Sequence, residues 1–180
     1  MNPQKQQKIR QKVLQLLREN KITEAPVDVE AIASSLGIEV RRSPAEDDLS
    51  GFLLKHTNGT AVIGVNALHH PNRQRFTIGH EIGHFVLHQH GEVHVDKFVL
   101  KLRNDASSTG ENEEEVESNR FAAELLMPME FLSEDLQKYA ANGILDDRGM
   151  AQWAKRYGVS VQAMTNRLIT LGFIYDGQLP

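Results

Sequence analysis

The chain has 180 residues, 40% of them hydrophobic, enough for one substantial core and a small appended module. A formal net charge of −4 and a sequence pI of about 6.1 exclude nucleic-acid binding through bulk positive charge and leave only a local basic patch for such contacts. The absence of cysteine excludes disulfides, thiolate zinc sites and cysteine nucleophiles, so any metal must sit on His, Asp or Glu.

Residues 1–20 are polar and amphipathic, with no secretory pattern and no apolar run of membrane-spanning length, which gives a cytoplasmic expectation and no membrane partner. Ile9, Val13, Leu16 and Leu17 fall at helical spacing and predict a first amphipathic helix. Asp28 is placed to cap a short helix carrying Val29, Ile32 and Leu36, which Gly37 ends, and Ile38-Glu39-Val40 then reads as a strand. Two antiparallel strands, 51–54 and 60–65, flank an Asn58-Gly59 turn. From residue 71 or 72 to His88 the pattern becomes helical, with Phe76, Ile82, Phe85 and Val86 as apolar candidates.

A strand candidate covers 93–102, and 104–112 reads as a surface loop. Helices follow over about 113–127, stopped by Pro128, and about 129–139. The segments 148–157 and 160–171, joined at Gly158-Val159, have the outline of a helix-turn-helix. These elements predict an α+β fold in which a small antiparallel sheet packs on helices, with residues 1–140 as the main domain and 141–180 as a helix-turn-helix-like subdomain.

The chemistry concentrates in His80-Glu81-Ile82-Gly83-His84. Two histidines four residues apart project from one helix face, one turn apart, so their imidazoles can converge on one ion. Glu81 is rotated about 100° from His80, close to the ion but poorly placed as an equivalent ligand; it suits a base acting on the water that the ion acidifies. Three protein ligands leave one position of a tetrahedral zinc open for that water.

Two segments compete for the third ligand. His90 stands at the offset of the extended motif H-E-x-x-H-x-x-G-x-x-H, but position 87 is Leu rather than the Gly that lets the helix break. Glu115, four residues before Asn119 on the next long helix, is the other candidate, with Glu114 beside it. In that arrangement Asn119 would orient a metal-binding histidine, and Ala122 and Ala123 would permit close helix packing. The remaining acidic residues of 113–117 are explained by the preference for negative charge at a helix N-terminus.

The segment 75–84, Arg-Phe-Thr-Ile-Gly-His-Glu-Ile-Gly-His, and the segment from Glu115 through Asn119 and Phe121-Ala-Ala-Glu-Leu-Leu-Met-Pro128 resemble the ImmA/IrrE family of metallopeptidases. The resemblance extends over most of the chain, with Ser118 standing where the family more often has alanine. It implies a zincin-like fold, a glutamate as third ligand at Glu115, a Zn2+ cofactor, and helix-turn-helix repressors as substrates. His88 continues the histidine stripe, where a supporting or packing role is expected, and Asn66 and Arg75 are expected to be structural. His56, His69, His70 and His94 are assigned no function.

The expected activity is therefore that of a zinc-dependent regulatory endopeptidase: His80, His84 and Glu115 hold the metal, and Glu81 is the catalytic base. The alternative is a regulatory protein that binds a repressor, toxin or DNA on the same scaffold without cleaving it. The second helix of the C-terminal pair carries only Arg167 as a positive charge, so a packed subdomain with Trp153, Met164, Leu168 and Leu171 in its core is expected rather than a DNA reader. An extended substrate could pair with the strand at 61–65 if that strand lies at a sheet edge.

Overall fold

The computed structural model describes residues 2–56, 59–88, 93–96, 110–140 and 147–174. Helix α1 (Pro3–Glu19) begins at Asn2, whose side chain accepts from Gln4 N, and buries Ile9, Val13, Leu16 and Leu17. Helix α2 (Val29–Ser35) is capped by Asp28, whose carboxylate accepts from Glu30 N and Ala31 N, and the chain leaves it through Gly37 at φ 74°.

Strands β1 (Ile38–Ser43), β2 (Gly51–Lys55), β3 (Ala61–Asn66) and β4 (Val93–Asp96) form one sheet in the order β1-β3-β2-β4. Strand β2 is antiparallel to β3 and to β4, with Leu53 opposite Ile63, whereas β1 runs parallel to β3, with Ile38 opposite Ala61. The sheet is thus mixed, not antiparallel as the sequence suggested. All six residues of β3 are buried, as befits an almost continuous apolar run flanked on both sides. That central position also overturns the idea that a substrate pairs with residues 61–65: both hydrogen-bonding edges of β3 are occupied, and β1 and β4 are the edge strands.

Helix α3 (Pro71–Leu87) contacts β2 and β3 and packs most extensively on α4 (Gly110–Leu126). Helix α4 starts three residues before the predicted Glu113; turn-forming residues such as Gly110 are tolerated where a helix begins. Pro128 separates it from α5 (Met129–Ala140), since proline cannot continue the preceding turn without losing a backbone donor. Helices α6 (Asp147–Tyr157) and α7 (Val161–Thr170) follow, the latter capped by Ser160 Oγ on Ala163 N at 3.1 Å.

One hydrophobic cluster runs through the molecule, from Val13 and Leu16 of α1 through Ile63 and Ile78 to Trp153, Tyr157, Met164 and Leu168 of α6 and α7. Leu171 packs against it half-buried. Among the described residues no helix is long and apolar enough to cross a membrane.

Candidate metal centre

The site is built on the seam between α3 and α4. Gly79 and Gly83 of α3 face Ala122 and Ser118 of α4: a Cβ at Gly83 would come within 3.1 Å of Ser118 Cα and 3.2 Å of its carbonyl oxygen. Without side chains there, the two helices approach at backbone distance, and a residue on α4 can reach the histidine face of α3. Gly79-x-x-x-Gly83 opposite Ser118-x-x-x-Ala122 is a pair of small-residue stripes at one-turn spacing, of which the sequence reading used only Ala122.

On that seam His80, His84 and Glu115 come together, with ligand atoms within 4.8 Å of one another. His80 Nε2 lies 3.0 Å from His84 Nε2 and 3.3 Å from one carboxylate oxygen of Glu115, and His84 Nε2 lies 3.0 Å from the other. Both imidazoles are buried, and the Glu115 side chain retains 32% exposure, which leaves the cluster open on one side. Bonds of about 2.0–2.2 Å to one tetrahedral ion would set ligand atoms roughly 3.3–3.6 Å apart, so the donors fit a zinc-sized cation after small outward shifts. Two imidazoles and a carboxylate also match that ion's donor preference. Glu114 does not belong to the cluster, and His90 and His94 lie outside the residues whose side chains are described.

Asn119 Oδ1 stands 3.1 Å from His80 Nδ1. An amide oxygen only accepts, so Nδ1 carries the proton and the Nε2 lone pair faces the cluster. His88 extends the stripe with its ring 5.6 Å from that of His84, and its Nε2 is 3.9 Å from Glu117. Lys5 of α1 in turn pairs with Glu117 at 2.7 Å and Glu113 at 2.5 Å, so these carboxylates tie α1 to α4 besides opposing the helix dipole. The Glu113 hydrogen bond, then that of Glu117, holds the Lys5 ammonium above its usual range.

Glu81 is fully buried on the sheet side of α3. A Cβ added at Gly51, the first residue of β2, would stand 3.8 Å from Glu81 Oε1 and would collide with Thr77 Cγ2 and, at 2.7 Å, with Gly64 O. The missing side chain at Gly51 therefore lets β2 pass close to Thr77 of α3 and to the Gly64 carbonyl of β3, beside the Glu81 carboxylate. At the far end of α3, Lys55 Nζ donates to His88 O at 3.3 Å and lies 5.1 Å from the Phe85 ring centroid, a cation at a helix C-terminus. Burial lowers its pKa.

Asn66 and Arg75 are structural. Asn66 Nδ2 donates to the carbonyls of Ala45, Glu46 and Leu49, and Oδ1 accepts from Ala45 N and Leu68 N, which fixes the β1–β2 connection. Arg75 donates to Val27 O at 2.9 Å and Gly158 O at 3.3 Å, joining α3 to the α2 entry and the α6–α7 turn. His70 caps α3, its Nδ1 accepting from Asn72 N. Arg167 is buried in an ion pair with Glu124 of α4 and donates to Met127 O at 3.1 Å, so the positive charge read on α7 is spent inside the protein. Arg120 and Arg10 also act on it, but burial is the largest influence lowering its pKa.

A family profile described as the IrrE N-terminal-like domain of peptidase family M78 matches residues 33–169. The chain belongs to that family, the ImmA/IrrE metallopeptidases. It is 36% identical over 104 residues to the radiation response metalloprotease IrrE of Deinococcus radiodurans, a match covering 57% of this chain and 29% of that protein. The chain therefore spans less than a third of that curated relative. A Mycobacterium tuberculosis transcriptional regulator of solved structure superposes on 96% of this chain and 48% of its own, with a TM-score of 0.63 and 16% identity, a likeness of fold. Family membership implies a bound metal ion, and the His80-His84-Glu115 cluster could hold one.

Proposed function

We propose that the chain is a zinc-dependent regulatory endopeptidase that hydrolyses a peptide bond in a protein, a helix-turn-helix transcriptional repressor, in the cytoplasm. The observation that carries the reading is the convergence of His80, His84 and Glu115 with Glu81 one residue along the same helix. The relative named a metalloprotease supports the chemistry, and the substrate in gene control rests on the resemblance of residues 75–84 and 115–128 to the ImmA/IrrE family. The α+β arrangement fits a zincin, with α6 and α7 as the helix-turn-helix-like segment.

In this reading His80, His84 and Glu115 hold the ion, and Asn119 keeps the His80 lone pair aimed at it. A zinc ion held there would acidify a water and polarise the scissile carbonyl. Glu81 would accept the proton from the attacking water and return it to the leaving amine, and its burial shields the carboxylate from bulk water. The exposed side of Glu115 is where the substrate chain enters.

Purified chain loaded with zinc is incubated with the helix-turn-helix repressor encoded nearest to it, beside Glu81→Gln of equal metal content. The expected result is a single cut by the wild type and a loss of about 10²–10⁴-fold in rate in the variant, the range that a positioned general base contributes. Equal rates in both would overturn the mechanism. Tight binding without a cut under any condition would replace it with the non-cleaving regulator.

A further inference from the structure

A second concavity lies beside the metal centre. A cavity of about 290 Å³ opens where the start of α3, the end of α4 and the α6–α7 turn meet, and Phe76, Leu126, Met127, Val159 and Ala163 supply its apolar walls; Arg73, whose guanidinium donates to Ser50 Oγ at 2.9 Å, also lines it. Phe76 is shared between the two places: it lines the cavity, and its ring stacks on His80 at 6.4 Å between centroids. Arg73 and Phe76 precede His80 by seven and four residues, which places the cavity roughly 6–10 Å from it along the helix axis.

The cavity's walls are set before anything enters. Met127 O is held by Arg167 Nε, Glu124 of the same corner pairs with Arg167 and accepts from Met129 N, and Ser160 caps α7 immediately beside Ala163. The volume is at the bottom of the range for small-molecule sites, about 300 Å³, and suits one or two side chains better than a whole cofactor.

We propose that this cavity is a specificity pocket that takes a large apolar side chain of the substrate polypeptide, and that α7 forms one wall of the substrate cleft. The inference rests on the peptidase reading for the identity of its occupant. An extended chain advances about 3.3 Å per residue, so the recognised side chain lies two or three residues from the scissile bond.

Two measurements test this separately from the catalytic proposal. Titration of the full chain with N-acetyl-phenylalanine amide and with N-acetyl-alanine amide, followed by methyl NMR, should move the Met127 and Ala163 methyl signals saturably with the first compound only. Ala163→Phe, or Ala163→Leu if the larger residue impairs folding, should reduce that binding at least tenfold. Digestion of a peptide library by the zinc-loaded chain should show a large apolar preference at one offset, shifted toward small residues in the same variants. Equal response to both amides, or shifts confined to other methyls, overturns the pocket. If the phenylalanine amide binds there and no peptide or repressor is cut, the pocket stands and the peptidase reading falls. If cutting shows no preference at that offset, the pocket falls and the peptidase reading stands.

Discussion

Two carboxylates of helix α4, Glu124 and Glu115, face different chemistry, and the chain treats them differently. Glu124 meets a guanidinium: Arg167 reaches it from α7 and completes a buried ion pair. Glu115, little more than two turns earlier, meets two imidazole nitrogens at 3.0 and 3.3 Å and keeps one side toward solvent. The first carboxylate receives its countercharge from the chain and is committed to holding the C-terminal helices. The second is placed among neutral-capable donors of the kind that bind a cation from outside. The place of an acid on a helix therefore does not distinguish structure from function; the chemistry of what faces it does.

The contrast should break most visibly at the metal. In His80→Ala or Glu115→Ala the metal content measured by atomic spectroscopy should fall from stoichiometric toward zero, while the far-ultraviolet circular dichroism of the metal-free protein is unchanged. Arg167→Met should do the reverse. Leaving Glu124 buried without its partner costs about 3–5 kcal/mol, read as a lowered denaturation midpoint, with metal content of the folded fraction intact. The double variant Arg167→Met, Glu124→Leu should recover most of that loss, because an apolar pair of similar volume carries no desolvation cost.

A smaller effect should follow at Asn119. Asn119→Ala removes the acceptor for His80 Nδ1 and should weaken metal affinity about 10–100-fold without abolishing it, measured by competition with a chelator. Unchanged affinity would remove Asn119 from the account. The smallest concerns Tyr157, whose buried hydroxyl donates to Asp135 at 2.8 Å. Burial first, and then the Asp135 hydrogen bond, raise its pKa well above the usual 10.0. Its neutral form is favoured in the folded state, so its contribution is complete below pH 10 and declines above it by at most about 1.4 kcal/mol per pH unit. Denaturant melts between pH 9 and 11 should show that slope in the wild type and a shallower one in Tyr157→Phe.

Most of the local structure was legible because it obeys periodic rules. The α1 stripe, the Asp28 and Ser160 caps and the stop at Pro128 depend on residues close in sequence. The spacing of His80 and His84 likewise contains its own geometry. Sheet order was not legible: chain order suggests that β1 and β2 are neighbours, and only the burial of β3 on every residue shows why it takes the place between them. Spacing left the third donor open between Glu115, Glu114 and His90, because it depends on how far α4 slides along α3. The two small-residue stripes fix that distance, and they are informative only when read as a pair. The role of Arg167 was illegible for a related reason, since its partner Glu124 lies 43 residues away.

The carbonyl of Met127, held by Arg167 across the α4–α5 corner, bears on how the chain can be divided. A cut between α5 and α6 would follow the boundary expected from the sequence, between residues 1–140 and 141–180. It would also leave Glu124 in an apolar interior without a cation and remove Trp153, Tyr157 and Leu168 from the shared core. The N-terminal fragment is therefore expected to be a poor independent unit, and a protease that nicks the chain between α5 and α6 should leave two pieces that stay together through gel filtration at neutral pH. In an exchange of parts between relatives, α7 would have to travel with α4.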